Sequence, residues 1–190
     1  MVIRVLYFDG ITGAGKTVGM SFFALAEMQA GKTIYANYDL AFSTRIQQSD
    51  LVETLYSLEH SEVKPKIAAD QTPKVICLDE IHTMWDSYRS MADSALDLGY
   101  FADQHRKLRA DIFYTSQHPE RIPKSLRRIT TDICLCESIP PNDKENPLAF
   151  RYTFQNRFDS AISEVVIPSS VMKTIYPLYR TYQRIIPQKK

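Results

Sequence analysis

Cysteine is scarce in this chain, three residues in 190, and Cys77, Cys134 and Cys136 all fall inside strand-like apolar runs. No CxxC pair or histidine cluster accompanies them, so nothing points to a zinc site or a disulfide framework. They read as core thiols of a protein in a reducing compartment. Long apolar runs are missing too. No stretch approaches the roughly 18 uninterrupted apolar residues that a membrane span requires. The opening MVIRVLYFDG lacks the shape of a signal peptide, because its apolar run is short and leads straight into a motif. There is also no charge excess: a net charge of +1 announces neither a nucleic-acid nor a membrane partner. The distribution is less even. Gln104 to Arg128 holds seven Lys/Arg against Asp111 and Glu120, whereas Asp79 to Asp103 is acidic, with Arg89 its only basic residue.

The composition, 44% hydrophobic and 24% charged, is that of an ordinary soluble globular protein. At this length one domain over 1–190 is expected, with a core at 1–137 and a C-terminal hairpin and tail at 138–190. Short apolar runs alternate with helical stretches, which predicts an α/β domain around a parallel sheet. Strands are expected at 3–9, 33–38, 74–79, 110–116 and 132–138, and helices at 17–30, 50–60, 92–108 and 123–129. Ser49 is placed to cap the second of these helices. KVICLD is almost wholly apolar, as a central strand buried on both faces should be. The segment 61–73 reads as a polar surface loop. LAFRYTFQN and ISEVVIPS then read as an antiparallel hairpin, followed by an aromatic tail.

GITGAGKT, Gly10 to Thr17, matches G-x-x-x-x-G-K-[ST] directly after a strand and at the opening of a helix. Gly10, Ile11, Thr12, Gly13, Ala14 and Gly15 would wrap phosphate oxygens with backbone N–H groups. The helix N-terminus adds its dipole. Lys16 would reach the β- and γ-phosphates of ATP, and the Thr17 hydroxyl would ligate Mg²⁺. VICLDE places a carboxylate pair at a central strand's C-terminal end, where α/β sheets bind ligands. Asp79 is the expected magnesium residue, through a water, and Glu80 the base that orients and deprotonates the attacking water. His82 and Trp85 read as packing or partner contacts.

Room exists for only one more strand between the first strand and VICLDE. The strand ending near Gln117 is therefore expected beside the first strand, in the additional-strand, RecA-like arrangement of P-loop NTPases. A neutral amide there can bond both phosphate and water without adding charge, so Gln117 is read as a sensor of the γ-phosphate.

Taken together, GITGAGKT, VICLDE and HRKLRADIFYTSQHP resemble the FtsK–HerA superfamily of DNA-pumping ATPases over roughly residues 1–137. The resemblance implies that Gln117 is the sensor and that an arginine before its strand reaches a neighbouring subunit's nucleotide. Arg106 matches that finger by position, followed by Arg109 and then by the Arg127–Arg128 pair. Small viral genome-packaging ATPases are the most similar members. TIYANYDL and YPLYRTYQ also resemble the zonula occludens toxin-like branch, which serves filamentous-phage assembly. The superfamily's N-terminal barrel domain and that branch's membrane segment are both missing from this sequence, which favours the packaging branch.

An ATP-driven translocase that packages a viral genome is thus expected. Its partners would be double-stranded DNA, bound without sequence preference, and other subunits in a ring of six or five. A capsid or portal vertex component would complete the set. The expected location is the host cytoplasm or the packaging vertex of the virion. The alternatives are a toxin-like phage-assembly ATPase, a nucleoside or nucleotide kinase, and a non-catalytic nucleotide switch.

Overall fold

A computed structural model describes residues 3–51, 54, 66–84, 106–141, 146–159 and 161–180. The first half contains β1 (Val5–Asp9), α1 (Lys16–Gln29), β2 (Thr33–Ala36), β3 (Asp39–Leu40), β4 (Thr44–Arg45), α2 (Lys66–Ala69), β5 (Lys74–Leu78) and α3 (Ile81–Met84). The second contains β6 (Ala110–Thr115), α4 (Lys124–Ile129), β7 (Asp132–Ile139), β8 (Ala149–Asn156), β9 (Ile162–Pro168), α5 (Ser169–Met172) and β10 (Tyr179–Arg180). Most of the helices expected at 50–60 and 92–108 lies outside the described residues, as does Trp85. The expected loop at 61–73 contains the helical turn α2, whose Ile67 is buried.

Among the described residues eight strands form one sheet, in the order β4-β2-β5-β6-β1-β7-β8-β9. β4, β2, β5, β6, β1 and β7 pair in parallel, and β7, β8 and β9 pair antiparallel. β6 therefore lies between β1 and β5, which is the additional-strand arrangement, and the C-terminal hairpin extends the sheet beyond β7.

Strand alternation divides the core into two layers. Leu6 and Phe8 of β1 join Val75, Cys77 and Phe113 beneath α1, together with Cys134 and Cys136. Val5 and Tyr7 join Ile76, Leu78, Ile112 and Tyr114 on the other face, where α4 contributes Leu126. β5 and β6 are buried along their whole lengths, as strands covered on both faces must be. All three cysteines are free and buried.

The strand expected at 33–38 ends at Ala36, because the chain turns at Asn37 and uses that side chain elsewhere. Beyond the turn, β3 pairs with β10, aligning Tyr179 with Leu40 and Arg180 with Asp39. The Tyr38 and Tyr179 rings meet edge to face at 6.5 Å. Asp39 and Leu40 of TIYANYDL and Tyr179 and Arg180 of YPLYRTYQ, distant in sequence, are thus neighbours in the fold. Among the described residues no helix is long and apolar enough to cross a membrane.

Candidate nucleotide site

The loop after β1 carries three glycines with left-handed backbone, Gly10 (φ 146°), Gly13 (φ 85°) and Gly15 (φ 86°). Other residues adopt such angles at a cost, and the turn requires them to bring the chain into α1. A side chain at Gly15 would also strike the Phe150 ring. Lys16 is almost fully buried, and its ammonium donates to the carbonyls of Gly10 at 2.8 Å and Ile11 at 3.1 Å. The lysine is thereby curled over the loop that would hold phosphates. Ile11 is exposed at the loop's crest.

The acidic half of the site is assembled from four elements. Thr17, at the start of α1, donates its hydroxyl to Asp79 Oδ1 at 2.9 Å. Thr115, at the end of β6, donates to the same oxygen at 2.6 Å and accepts the Glu80 N–H at 2.9 Å. Asn37, just past β2, receives the Asp79 N–H at 2.7 Å and donates back to the Asp79 carbonyl at 2.8 Å. These bonds fix the end of β5 between its two neighbours. Burial pushes the Asp79 carboxyl above the usual carboxylate range; the Thr115 bond opposes this and the Glu80 charge adds to it.

Glu80 follows with φ at 50°, a left-handed conformation rare for a residue with a side chain. Holding it costs on the order of 1–3 kcal/mol, and such strain clusters at sites of function. The result is a carboxylate turned toward β6, where Oε2 accepts the Gln117 N–H at 3.1 Å. His82 Nδ1 lies 3.3 Å from the same oxygen.

The structure brings Lys16, Thr17, Asp79, Glu80 and Gln117 together at the C-terminal ends of β1, β5 and β6. Gln117 is exposed, and it is its backbone N–H that meets Glu80. Arg106 is not part of this group. It lies in the turn before β6, with Arg109, whose carbonyl accepts the first N–H of β5. Six residues of β6 separate it from the carboxylates, about 20 Å at the rise of a strand.

Two hydroxyls and a carboxylate form an all-oxygen set suited to a hard cation such as Mg²⁺. The glycine-bent loop with its lysine suits a polyphosphate. The residues present therefore fit Mg²⁺ and ATP.

Sequence reasoning missed Thr115, Asn37 and Tyr152. Thr115 lies two residues before the glutamine, and Asn37 is an amide inside an otherwise apolar run; both carried a signal in their polarity. Tyr152 carried none. From β8 its hydroxyl donates to the Gly15 carbonyl at 3.0 Å, and its ring lies against α1 at Gly19. A methyl at Gly19 would run into that ring, which is fully buried and packed edge to face on Phe23 at 5.5 Å. Gly19→Ala is therefore expected to cost about 1–3 kcal/mol, the usual penalty of overpacking. Chemical denaturation should show a lower midpoint, and wild-type stability would refute the packing argument.

A family model for zonular occludens toxin (Zot) matches residues 4–138, nearly three quarters of the chain. The chain belongs to the Zot family. The match takes in the glycine-rich loop, the Asp79–Glu80 pair and Gln117 together. Of the two branches that the sequence resembles, it is the toxin-like one that the model describes.

The crystal structure of the N-terminal domain of zonular occludens toxin from Neisseria meningitidis is similar at a TM-score of 0.57 and 16% identity, covering 95% of this chain and 100% of that one. Genome packaging NTPase B204 from Sulfolobus turreted icosahedral virus 2, in complex with ATP-gammaS, also gives 0.57, at 9% identity, covering 85% of this chain and 96% of that one. EssC (ATPases 2 and 3) from Geobacillus thermodenitrificans gives 0.54 at 14% identity, covering 96% of this chain and 45% of that one. At these identities the likeness shows the P-loop NTPase fold. No curated protein matches.

Proposed function

We propose that this Zot-family chain hydrolyses ATP to move DNA during virus assembly, working as a ring of subunits. The observation that carries the reading is the Asp79–Glu80 pair, held at the end of β5 against Thr17 and Thr115 beside the glycine-rich loop. The loop and Lys16 bind and orient the phosphates, while Thr17 and Asp79 hold Mg²⁺. When bound, the metal nucleotide supplies the phosphoryl group and neutralises part of its charge. Glu80 takes the proton of the attacking water, and Gln117 senses the γ-phosphate from the end of β6.

Family membership favours a phage-assembly step over other uses of the same chemistry. Packaging of a genome into a capsid is the second reading, supported by the fold shared with B204 over nearly its full length. Recovery of the protein on a capsid or portal vertex would decide for packaging. Either reading places it in the host cytoplasm or on the virion.

Hydrolysis measured with and without double-stranded DNA, on material sized for oligomers, tests the proposal. DNA should accelerate turnover, and binding should ignore base composition. It should also weaken steeply with salt, because a motor that does not read sequence grips phosphates. Six such contacts would cost roughly 10³ in affinity between 50 and 200 mM salt. Candidate contacts are Arg121, Lys124, Arg127 and Arg128. Binding that is insensitive to salt or strongly selective for sequence would refute translocation, and phosphoryl transfer to a nucleoside would indicate a kinase.

A further inference from the structure

His82 enters the site from α3, two residues after Glu80, with a side chain only 13% exposed. Its Nδ1 lies 3.3 Å from Glu80 Oε2 and 3.1 Å from Ser116 Oγ. The proton on this ring can be assigned from its neighbours. Ser116 Oγ donates to the His118 carbonyl at 3.1 Å and accepts the His118 N–H at 3.0 Å, so its own proton is already used. A bare Nδ1 would face two acceptors, a serine oxygen and a carboxylate oxygen. With the Ser116 hydroxyl given to the His118 carbonyl, a hydrogen on Nδ1 suits both oxygens that face it, Ser116 Oγ and Glu80 Oε2.

We infer that His82 is a positioning residue for Glu80, a role resting on the reading of Glu80 as the hydrolytic base. His82 Nδ1, at 3.3 Å, and the Gln117 N–H, at 3.1 Å, converge on Oε2. Together they fix the plane of the carboxylate and leave Oε1 to take the proton from water. The backbone of Glu80 is already strained into this orientation, and a strained residue needs its side chain held from outside. Ser116, Gln117 and His118 form one turn after β6, and the His118 ring packs edge to face on His82 at 5.0 Å. The turn thus sets both donors at once. A shift in it would move the base.

The test is a set of variants assayed for ATP hydrolysis and, separately, for binding of a fluorescent ATP analogue. His82→Ala is expected to lower kcat by roughly 10–100-fold, the range of a lost hydrogen bond to a charged group. KM and analogue affinity should change little. His82→Asn puts an N–H close to the position of Nδ1 and should restore most of the rate. In a Glu80→Gln background His82→Ala should have no further effect on kcat, because no base remains to be positioned. Ser116→Ala loosens the same ring without touching Glu80 and should lower kcat by a smaller factor, which keeps the test open if His82→Ala does not fold.

If wild-type protein hydrolyses ATP and Glu80→Gln does not, yet His82→Ala keeps its full kcat, the positioning role is refuted. The role is equally refuted if His82→Ala loses rate and analogue binding together, or lowers kcat as much in the Glu80→Gln background as alone. Should Glu80→Gln itself hydrolyse at the wild-type rate, the assignment of the base fails first and the failure is recognisable as such.

Discussion

Glu80→Gln is expected to bind ATP as wild type does and to hydrolyse it roughly 10²–10⁴ times more slowly, the usual share of general base catalysis. The substitution is nearly isosteric. A glutamine Oε1 can still accept the Gln117 N–H that Oε2 of Glu80 receives at 3.1 Å, and the Glu80 N–H remains free to bond Thr115. The left-handed turn at residue 80 is therefore kept, and only the capacity to take a proton is lost. Because the Thr17 and Thr115 hydroxyls donate to the carboxylate of Asp79 and not to that of Glu80, metal-dependent binding should survive. Single-turnover hydrolysis and equilibrium nucleotide binding, measured on one preparation, separate the two effects. The ATP-bound variant should also remain assembled longer than wild type. If Asp79→Asn instead spares Mg²⁺-dependent binding, the two carboxylates have exchanged roles.

The placement of the loop and of the two carboxylates was legible in the sequence because the information is local. GITGAGKT specifies its own backbone through three glycines, and VICLDE couples a strand buried on both faces to the acids that end it. The order of the central strands followed from how much chain separates these motifs. What was not legible depends on contacts between distant residues. Tyr152 meets Gly15 across 137 positions, and nothing in LAFRYTFQN marks that tyrosine as different from Tyr176 or Tyr179. The left-handed backbone at Glu80 arises from bonds to β6, which local propensity does not encode. His82 had the same standing: one histidine on a helix reads as packing until Ser116 and Glu80 are seen on either side of its Nδ1. The two stretches with the weakest resemblance, TIYANYDL and YPLYRTYQ, pair in the fold as β3 and β10. Their likeness to the toxin-like branch was spread over two short segments, each too brief to carry weight alone.

Arg106→Ala is expected to bind nucleotide normally and to lose turnover by about 10³–10⁵, the contribution of an arginine finger. Geometry sharpens this expectation. Arg106 and Arg109 precede β6, at the end of the sheet opposite the carboxylates. The other candidates, Arg127 and Arg128, end α4 near that same pole, where Arg157 donates to the Arg127 and Thr130 carbonyls. None of these can serve the γ-phosphate of its own subunit across the length of a strand. A head-to-tail ring would set this basic pole of one subunit against the loop end of the next, a heterologous contact that closes by rotation. Activity per chain should then rise with protein concentration. The decisive measurement mixes Arg106→Ala with Lys16→Ala, which keeps its finger but has lost the cation of its own phosphate loop. Each protein is expected to be inactive alone. In mixed rings an intact loop can face an intact arginine, so a fraction of wild-type hydrolysis should return. If no activity returns although the two proteins are shown to co-assemble, Arg106 is not the finger, and Arg109 and then Arg128 become the residues to exchange.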